Sequence, residues 1–178
     1  WARGFGFANV EQRLPVTPAT KFRIASHSKL FTATAIMQLR DAGKLRLDDP
    51  VVQHLPWFTM QPVAPGDDAP PTLAELLTHH SGLPREATDH WSTFKFPDAA
   101  GLRASVQGRP TIFAPEVRWK YSNLAYALAG QIVEKLSGDS YADYVQRRIF
   151  TPLALSRSIV SKKPSSVAGT SGTTTTSQ

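Results

Sequence analysis

One stretch of the chain is apolar on nearly every side of a predicted helix. It runs from about Ser26 to Ala42, and Gly43 is placed to end it as a left-handed cap. Its apolar positions do not keep to one narrow face: Leu30, Phe31, Ala33, Ala35, Ile36, Met37 and Leu39. Because such a helix needs neighbours all round, we predict that it lies in the middle of a domain, buried on most sides.

Two further helices are predicted nearer the carboxyl end. Apolar residues at helical spacing predict one from about Ser122 to Leu136, with Gly138 as its stop. The next begins at Ser140 and ends near Phe150, where a threonine and a proline follow.

The rest of the chain predicts less regular structure. Residues 2–10 suggest a strand, and residues 62–71 form a proline-rich surface loop. Residues 72–75 have the capping-box spacing that opens a short helix, which we expect to end near residues 81–82. Residues 84–115 show weak periodicity and predict loops and short helices. One early strand is too few to complete a sheet, so the pattern predicts helices beside an incomplete sheet.

The charges of the chain are scattered rather than clustered. Its 178 residues are 41% hydrophobic and 19% charged, which fits a globular chain with one sizeable core, and the formal net charge is +6. The basic runs are no longer than pairs and do not alternate with aromatic residues, so we expect no nucleic acid partner. No apolar run reaches the roughly 20 residues of a transmembrane helix. Cysteine is absent, which excludes thiolate nucleophiles and disulfides.

Ser26 and Lys29 stand three residues apart at the start of the apolar helix. This spacing brings both side chains onto one helix face, about 5 to 6 Å apart at Cβ. Lysine accepts the proton of a serine hydroxyl only when it is neutral, and both burial and the positive end of the helix dipole disfavour its ammonium form. The same helix start favours a developing oxyanion. The pair therefore predicts a serine nucleophile with a lysine base.

The simpler interpretation of this spacing is a serine that caps a helix and a lysine on its surface, which accounts for most S-x-x-K sequences. A second copy, from Ser92 to Lys95, is followed by Pro97 and by no apolar helix, and we assign it to the simpler interpretation. Because only the first copy opens an apolar helix, its context favours a functional pair.

Tyr121 and Asn123 stand at the loop that leads into the second predicted helix. A phenol near a lysine can pass the serine proton to the leaving group, and an amide can hydrogen-bond a substrate carbonyl. On its own, Y-x-N is usually a packed tyrosine and a capping asparagine.

Four blocks together carry a resemblance to a known family. They are "FRIASHSKLFTATAIMQLRDAGKLRLDDPV", "LAELLTHHSGLP", "YSNLAYALAGQIVEKLSG" and "YADYVQRRIFTPLAL". In this order they resemble the serine beta-lactamase-like family, which includes class C beta-lactamases, penicillin-binding peptidases and related esterases. The resemblance implies that Ser26 is the acylated nucleophile, Lys29 its partner base, Tyr121 the proton shuttle and Asn123 a substrate-orienting residue.

The resemblance also implies the fold class and the domain organisation. The fold is expected to be α+β, of the multidomain beta-lactamase and transpeptidase type. Residues 1–160 are interpreted as the N-terminal half of a hydrolase domain, in which a helical region at about 44–140 lies beside the sheet. Residues 161–178 contain ten serines or threonines and are predicted to form a flexible tail or a cut-off end.

The chain also departs from the family pattern. The family carries a third motif, K-T-G or H-x-G, on a strand beside the cleft, and its members are roughly twice this length. No K-T-G occurs here, and the H-x-G letters at His80 to Gly82 belong to an earlier block, so we do not assign the third motif to them. Glu116 stands where relatives commonly have glycine. The chain starts at Trp1 without an initiator methionine, which predicts a processed or truncated start.

Other arrangements are set aside. No G-x-S-x-G elbow occurs, which argues against an alpha/beta-hydrolase triad. The remaining polar residues are interpreted as surface, capping or turn residues: His54, His79, His80, His90, Arg40, Arg46, Asp48 and Asp49. His27, one step from the serine, is expected to point to another face and to be a bystander.

These features predict a serine hydrolase that acts on a small ester or amide through an acyl-enzyme on Ser26. A carboxylesterase or a broad beta-lactamase-like activity is favoured over a strict peptidoglycan peptidase. No metal or cofactor is implied, and the resemblance alone favours a periplasmic or secreted location. A missing carboxyl-terminal half or a second chain is expected to complete the sheet. The alternative is a non-catalytic truncated fragment or a binding module that retains the fold.

Overall fold

A computed structural model of the chain describes residues 1–64, 69–93 and 95–160. The predicted tail, residues 161–178, lies outside the described residues. In the described part the elements, in chain order, are β1 (Phe7–Asn9), β2 (Leu14–Pro15), a 3₁₀ turn (Ala25–His27), α1 (Ser28–Asp41), α2 (Val51–His54), α3 (Leu73–Thr78), α4 (His90–Thr93), α5 (Ala99–Val106), α6 (Asn123–Ser137), α7 (Tyr141–Val145) and a π-helical turn (Gln146–Phe150).

The strands β1 and β2 form a short antiparallel hairpin, which is the one sheet in the described residues. The predicted strand at residues 2–10 is therefore confirmed in part, because the strand is confined to Phe7–Asn9. Its partner, β2, follows it directly along the chain. Both Phe7 and Leu14 are exposed. The described chain is thus helical with a small sheet.

The helices α1, α6 and α7 pack together and form the centre of the fold. Apolar side chains that are fully or nearly fully buried fill the space between them and the flanking segments: Ala35, Ile36, Leu39, Leu73, Leu76, Leu124, Leu128, Ile132, Val133, Val145, Ile149 and Phe150. The burial of this apolar surface is the main stabilising contribution to the fold.

The expectation that α1 is buried on most sides is wrong for the described chain. Its buried residues, Thr32, Ala35, Ile36 and Leu39, lie toward α6 and α7. Leu30 is 66% exposed, because no described segment covers that face. The apolar letters of α1 therefore belong to two faces, of which the described residues cover one.

The ends of the helices follow their capping residues. Thr72 accepts a hydrogen bond from the backbone of Glu75, whose carboxylate binds the backbone N–H of Thr72 in return, so the predicted capping box is confirmed. The helix α3 ends earlier than expected, at a left-handed His79. Gly43 and Gly138 have φ angles of +69° and +77° and follow α1 and α6 as predicted.

Asp49 and His54 correct one interpretation of the sequence. Asp49 lies in a turn, as interpreted, but it is buried. His54, interpreted as a surface or capping residue, is buried too, and its Nε2 lies 2.8 Å from Asp49 Oδ2. The same oxygen accepts from the backbone N–H of Arg46. This contact lowers the pKa of Asp49, and the hydrogen bond and charge of His54 act in the same direction against the desolvation of the carboxylate. The pair thus fixes the turn between α1 and α2.

None of the helices in the described residues is both long and apolar enough to cross a lipid bilayer.

Candidate active site

The turn before α1 presents Ser26. It lies in the 3₁₀ turn rather than in the α-helix, which begins two residues later, and its side chain is exposed. Ala25 has a φ of +44°, a conformation that costs an L-residue roughly 1 kcal/mol. Lys29 lies in the first turn of α1, and its Nζ donates to Ser26 Oγ at 3.3 Å. The predicted proximity of serine and lysine is therefore present, on a tighter turn than an α-helix provides.

The start of α6 presents Tyr121 and Asn123 from an anchored junction. Between them, Ser122 is fully buried, donates through Oγ to the carbonyl of Pro84 at 2.7 Å and accepts from the backbone N–H of Ala125. The backbone N–H of Asn123 donates to the carbonyl of Arg85 at 2.8 Å. The junction is thus held both by its own helix cap and by the segment that follows α3.

The side chains of Ser26, Lys29, Tyr121 and Asn123 meet at one point. The Tyr121 phenol oxygen lies 2.5 Å from Ser26 Oγ. Lys29 Nζ donates to the Tyr121 oxygen at 2.6 Å and to Asn123 Oδ1 at 2.7 Å. The structure therefore brings together every residue that the sequence predicts for the site, although 92 residues separate Lys29 from Tyr121 along the chain.

The surroundings of Lys29 differ from those expected. Its ammonium was predicted to be enclosed by the apolar helix, but the side chain is only half-buried and its three nearest partners are oxygens. The faces of the Tyr121 and Tyr126 rings lie 4.7 and 5.5 Å from Nζ. Three acceptors match the three donors of an ammonium group, and the ring faces add electrostatic attraction. Lys29 therefore contacts each of the other three side chains of the site.

Two opposing effects set the pKa of the Tyr121 phenol. Burial raises it, whereas the hydrogen bonds from Lys29 and Ser26, together with the positive charges of Lys29 and Arg85, lower it. The hydrogen bonds and charges together outweigh the effect of burial, so the pKa of Tyr121 lies below the ordinary tyrosine value. A phenol of this kind, in contact with a serine hydroxyl, is a better proton acceptor near neutral pH than a free tyrosine.

His79 is a site residue that sequence reasoning missed. It was interpreted as a surface or capping histidine, but its ring lies 4.7 Å from the Tyr121 ring, and its Nδ1 accepts from the backbone N–H of Ser122 at 3.2 Å. Burial lowers the pKa of His79, and the charges of Lys29 and His80 lower it further. Since Nδ1 accepts, Nε2 carries the proton of the neutral ring. No sequence signal distinguished His79 from the neighbouring His80.

Protonation of His79 is expected to loosen this junction. Because its pKa is lower in the folded chain than in the unfolded chain, its contribution to stability is complete above about pH 6.5 and is lost as the pH falls through the lowered value. We expect the free energy of unfolding, from urea titrations at pH 7.5 and 5.0, to fall more on acidification in the wild type than in His79→Gln. At pH 7.5 this variant should lose about 1 kcal/mol. His80→Gln is the matched control, and an equal acid response in wild type and His79→Gln would contradict the role of His79.

The residues set aside from the sequence lie elsewhere. His27 Nδ1 is 3.1 Å from the carbonyl of Ile24, and Ser92 of the second S-x-x-K copy donates to Asp89. Gly82, in the H-x-G letters, has a φ of +68°, and a Cβ there would lie 1.9 Å from the carbonyl oxygen of Phe113. This glycine therefore serves backbone packing.

Within the described ranges, no three histidine, aspartate or glutamate side chains gather into a group that would hold a metal ion.

An open cavity of about 470 Å³ borders Lys29. It lies between α1, α6 and the start of α5, and Thr32, Tyr126 and Tyr141 are among the residues that line it. The hydroxyl groups of two of these residues, Tyr141 and Thr32, form a hydrogen bond of 2.7 Å. The volume is in the range of small-molecule sites.

Known proteins share this arrangement of elements. A family model described as Beta-lactamase matches residues 1–178. Penicillin-binding protein 4* of Bacillus subtilis (strain 168) is 35% identical over 162 residues, which cover 88% of this chain and 34% of that protein. The octameric penicillin-binding protein homologue of Pyrococcus abyssi has a TM-score of 0.73 and 36% identity, over 94% of this chain and 40% of that one. EstCE1, described as a hydrolase with promiscuous acyltransferase activity, has a TM-score of 0.71 and 26% identity, over 84% and 42%.

These likenesses confirm the predicted fold class, a helical part with an incomplete antiparallel sheet of the beta-lactamase and penicillin-binding protein type. The chain spans 30 to 34% of the length of the curated relatives it matches.

Proposed function

The chain belongs to the beta-lactamase family, and from this premise we propose that it carries the nucleophile-bearing part of a serine hydrolase. The proposed substrate is a small ester or amide, and the proposed intermediate is an acyl-enzyme on Ser26. One observation carries the proposal: the Tyr121 phenol, with its lowered pKa, lies 2.5 Å from Ser26 Oγ while Lys29 contacts both oxygens.

In the proposed acylation, the Tyr121 phenolate accepts the proton of Ser26 as Oγ forms a bond to the substrate carbonyl carbon. When the tetrahedral intermediate collapses, the bond to the alcohol or amine breaks and the proton on Tyr121 passes to that leaving group. Water then attacks the acyl carbon as the Tyr121 phenolate takes one of its protons, and that proton passes to Oγ as the bond between Oγ and the acyl carbon breaks, which releases the acid and restores Ser26. The contact distances support Tyr121 as the immediate proton acceptor, since Lys29 Nζ lies 0.8 Å farther from Ser26 Oγ (3.3 against 2.5 Å).

Lys29 and Asn123 take supporting roles in this proposal. The ammonium of Lys29 stabilises the Tyr121 phenolate by charge and by a hydrogen bond at 2.6 Å. Asn123 holds that ammonium through Oδ1. One of its two Nδ2 hydrogens is donated to Glu86, and the other is left for a substrate carbonyl. The similarity to EstCE1 and to penicillin-binding proteins supports acyl esters and amides as the class.

Covalent labelling tests the proposal directly. The 178-residue chain is incubated with a fluorophosphonate or a penicillin, and its intact mass is measured, followed by peptide mapping. We expect an adduct of one probe on Ser26, none on Ser92 of the second S-x-x-K copy, and none in Ser26→Ala. A wild-type chain that acquires no adduct at saturating probe would favour the alternative, a non-catalytic fragment or binding module.

A further inference from the structure

Glu86 lies directly behind the proposed site, in the segment between α3 and α4. Its side chain is 17% exposed, and its two carboxylate oxygens have different partners. Oε1 accepts a hydrogen bond from Asn123 Nδ2 at 2.5 Å, and Oε2 lies 3.2 Å from His90 Nε2. The Arg85 guanidinium approaches Oε1 at 3.6 Å from the solvent side. No motif in the sequence singled out this glutamate.

The charges on either side of Asn123 determine how its amide is turned. On one side the Lys29 ammonium donates to Oδ1, and on the other the Glu86 carboxylate accepts from Nδ2. Turning the amide by 180° would place its NH₂ against the ammonium and its oxygen against the carboxylate, so both favourable contacts would become repulsive. The carboxylate therefore selects the orientation in which Asn123 offers an oxygen to Lys29.

His90 holds the other end of Glu86. It is nearly buried, and its Nδ1 lies 3.1 Å from Thr88 Oγ1 while its ring packs against Trp91 and Phe96. With Oε2 at His90 and Oε1 at Asn123, both oxygens of the carboxylate are held, and rotation of the Glu86 side chain would break both contacts. Glu86 is thus a fixed anion rather than a mobile surface charge.

We propose that Glu86 is a positioning residue of the acylation reaction, which sets the orientation of the Asn123 amide and through it the place of Lys29 between Ser26 and Tyr121. The inference rests on the proposed function, since the reaction that it supports is acylation of Ser26. The chain of contacts is continuous, from Glu86 to Asn123 at 2.5 Å, from Asn123 to Lys29 at 2.7 Å and from Lys29 to Tyr121 at 2.6 Å.

Two substitutions separate positioning from general stability. Glu86→Ala removes the acceptor for Asn123 Nδ2, and we expect it to lower the maximal rate of Ser26 labelling by a fluorophosphonate about tenfold to a hundredfold. Glu86→Gln keeps an oxygen that can accept from Asn123 and an NH₂ that can donate to His90, and it should restore the rate to within about threefold of wild type. Glu86→Ala should change the maximal labelling rate and leave the half-saturating probe concentration nearly unchanged.

A matched control is available in Glu75, a buried carboxylate that caps α3 and that forms no hydrogen bond with Asn123 in the described part of the chain. Both Glu75→Ala and Glu86→Ala are expected to lower stability, but Glu75→Ala should leave the labelling rate of the folded molecules unchanged. If Glu86→Ala labels as fast as Glu75→Ala, the positioning role is overturned while the proposed function stands.

A second measurement does not depend on activity. The side-chain NH₂ of Asn123, assigned by its loss in Asn123→Ala, should show a proton resonance shifted downfield in the wild type and moved upfield in Glu86→Gln, since a neutral acceptor replaces a carboxylate. An unchanged resonance overturns the inference. A wild-type chain that shows the shift but acquires no label retains the positioning contact and overturns the proposed function alone.

Discussion

Replacing Lys29 with methionine is expected to lower the rate of Ser26 labelling by about three to four orders of magnitude. Lys29 donates to three oxygens of the site at 3.3, 2.6 and 2.7 Å. Methionine keeps the length and the apolar stem but has neither charge nor donors, so the pKa of Tyr121 would lose two of the contributions that lower it. The measurement is the second-order rate of adduct formation with a fluorophosphonate, from intact mass against time.

Lys29→Arg distinguishes between the two roles that a lysine can have here. The sequence predicted a base, which must lose its proton, whereas the geometry supports a cation that lowers the pKa of Tyr121. Arginine stays protonated and keeps the charge. If Lys29 acts as a cation, the arginine variant should label at least about tenfold faster than the methionine variant. Equal rates in both variants would contradict the cation role and support the base predicted from the sequence.

The two short motifs could be predicted from the sequence because each stands at a helix start. Ser26 and Lys29 are local neighbours, so their spacing in the chain already brings the two side chains within reach of the 3.3 Å contact. That Tyr121 meets them depends on the packing of α1 against α6, which the four family-like blocks implied but which spacing alone does not give. The catalytic roles of these residues are tested by covalent labelling of Ser26.

The residues around the motifs could not be predicted because their partners are distant in the chain. Glu86 reaches Asn123 across 37 positions and His79 reaches Ser122 across 43, and neither contact leaves a periodic pattern. The apolar residues of α1 led to a wrong prediction of how much of that helix is buried. Leu30 counted toward a helix buried on most sides, yet it is exposed in the described chain, because an apolar side chain is not by itself evidence of burial.

Replacing Tyr121 with phenylalanine is expected to lower the labelling rate by about two to three orders of magnitude and to change its pH dependence. The phenol lies 2.5 Å from Ser26 Oγ, and its pKa is below the ordinary tyrosine value of about 10. If the phenolate accepts the serine proton, the wild-type rate should rise with pH and level off above a midpoint lower than 10. This ascending limb should be missing from Tyr121→Phe, because phenylalanine has no proton to lose.

Tyr141→Phe is the matched control for this result. Burial raises the pKa of Tyr141 despite its hydrogen bond with Thr32, so its phenol stays protonated where that of Tyr121 ionises. Its removal costs one hydrogen bond to α1, about 1 kcal/mol of stability, and should leave the ascending limb in place. A wild-type rate that does not change with pH, or a limb that survives in Tyr121→Phe, would assign the serine proton to another group. Lys29 would then be the nearest candidate, since its Nζ is the other polar atom in contact with Ser26 Oγ among the described residues.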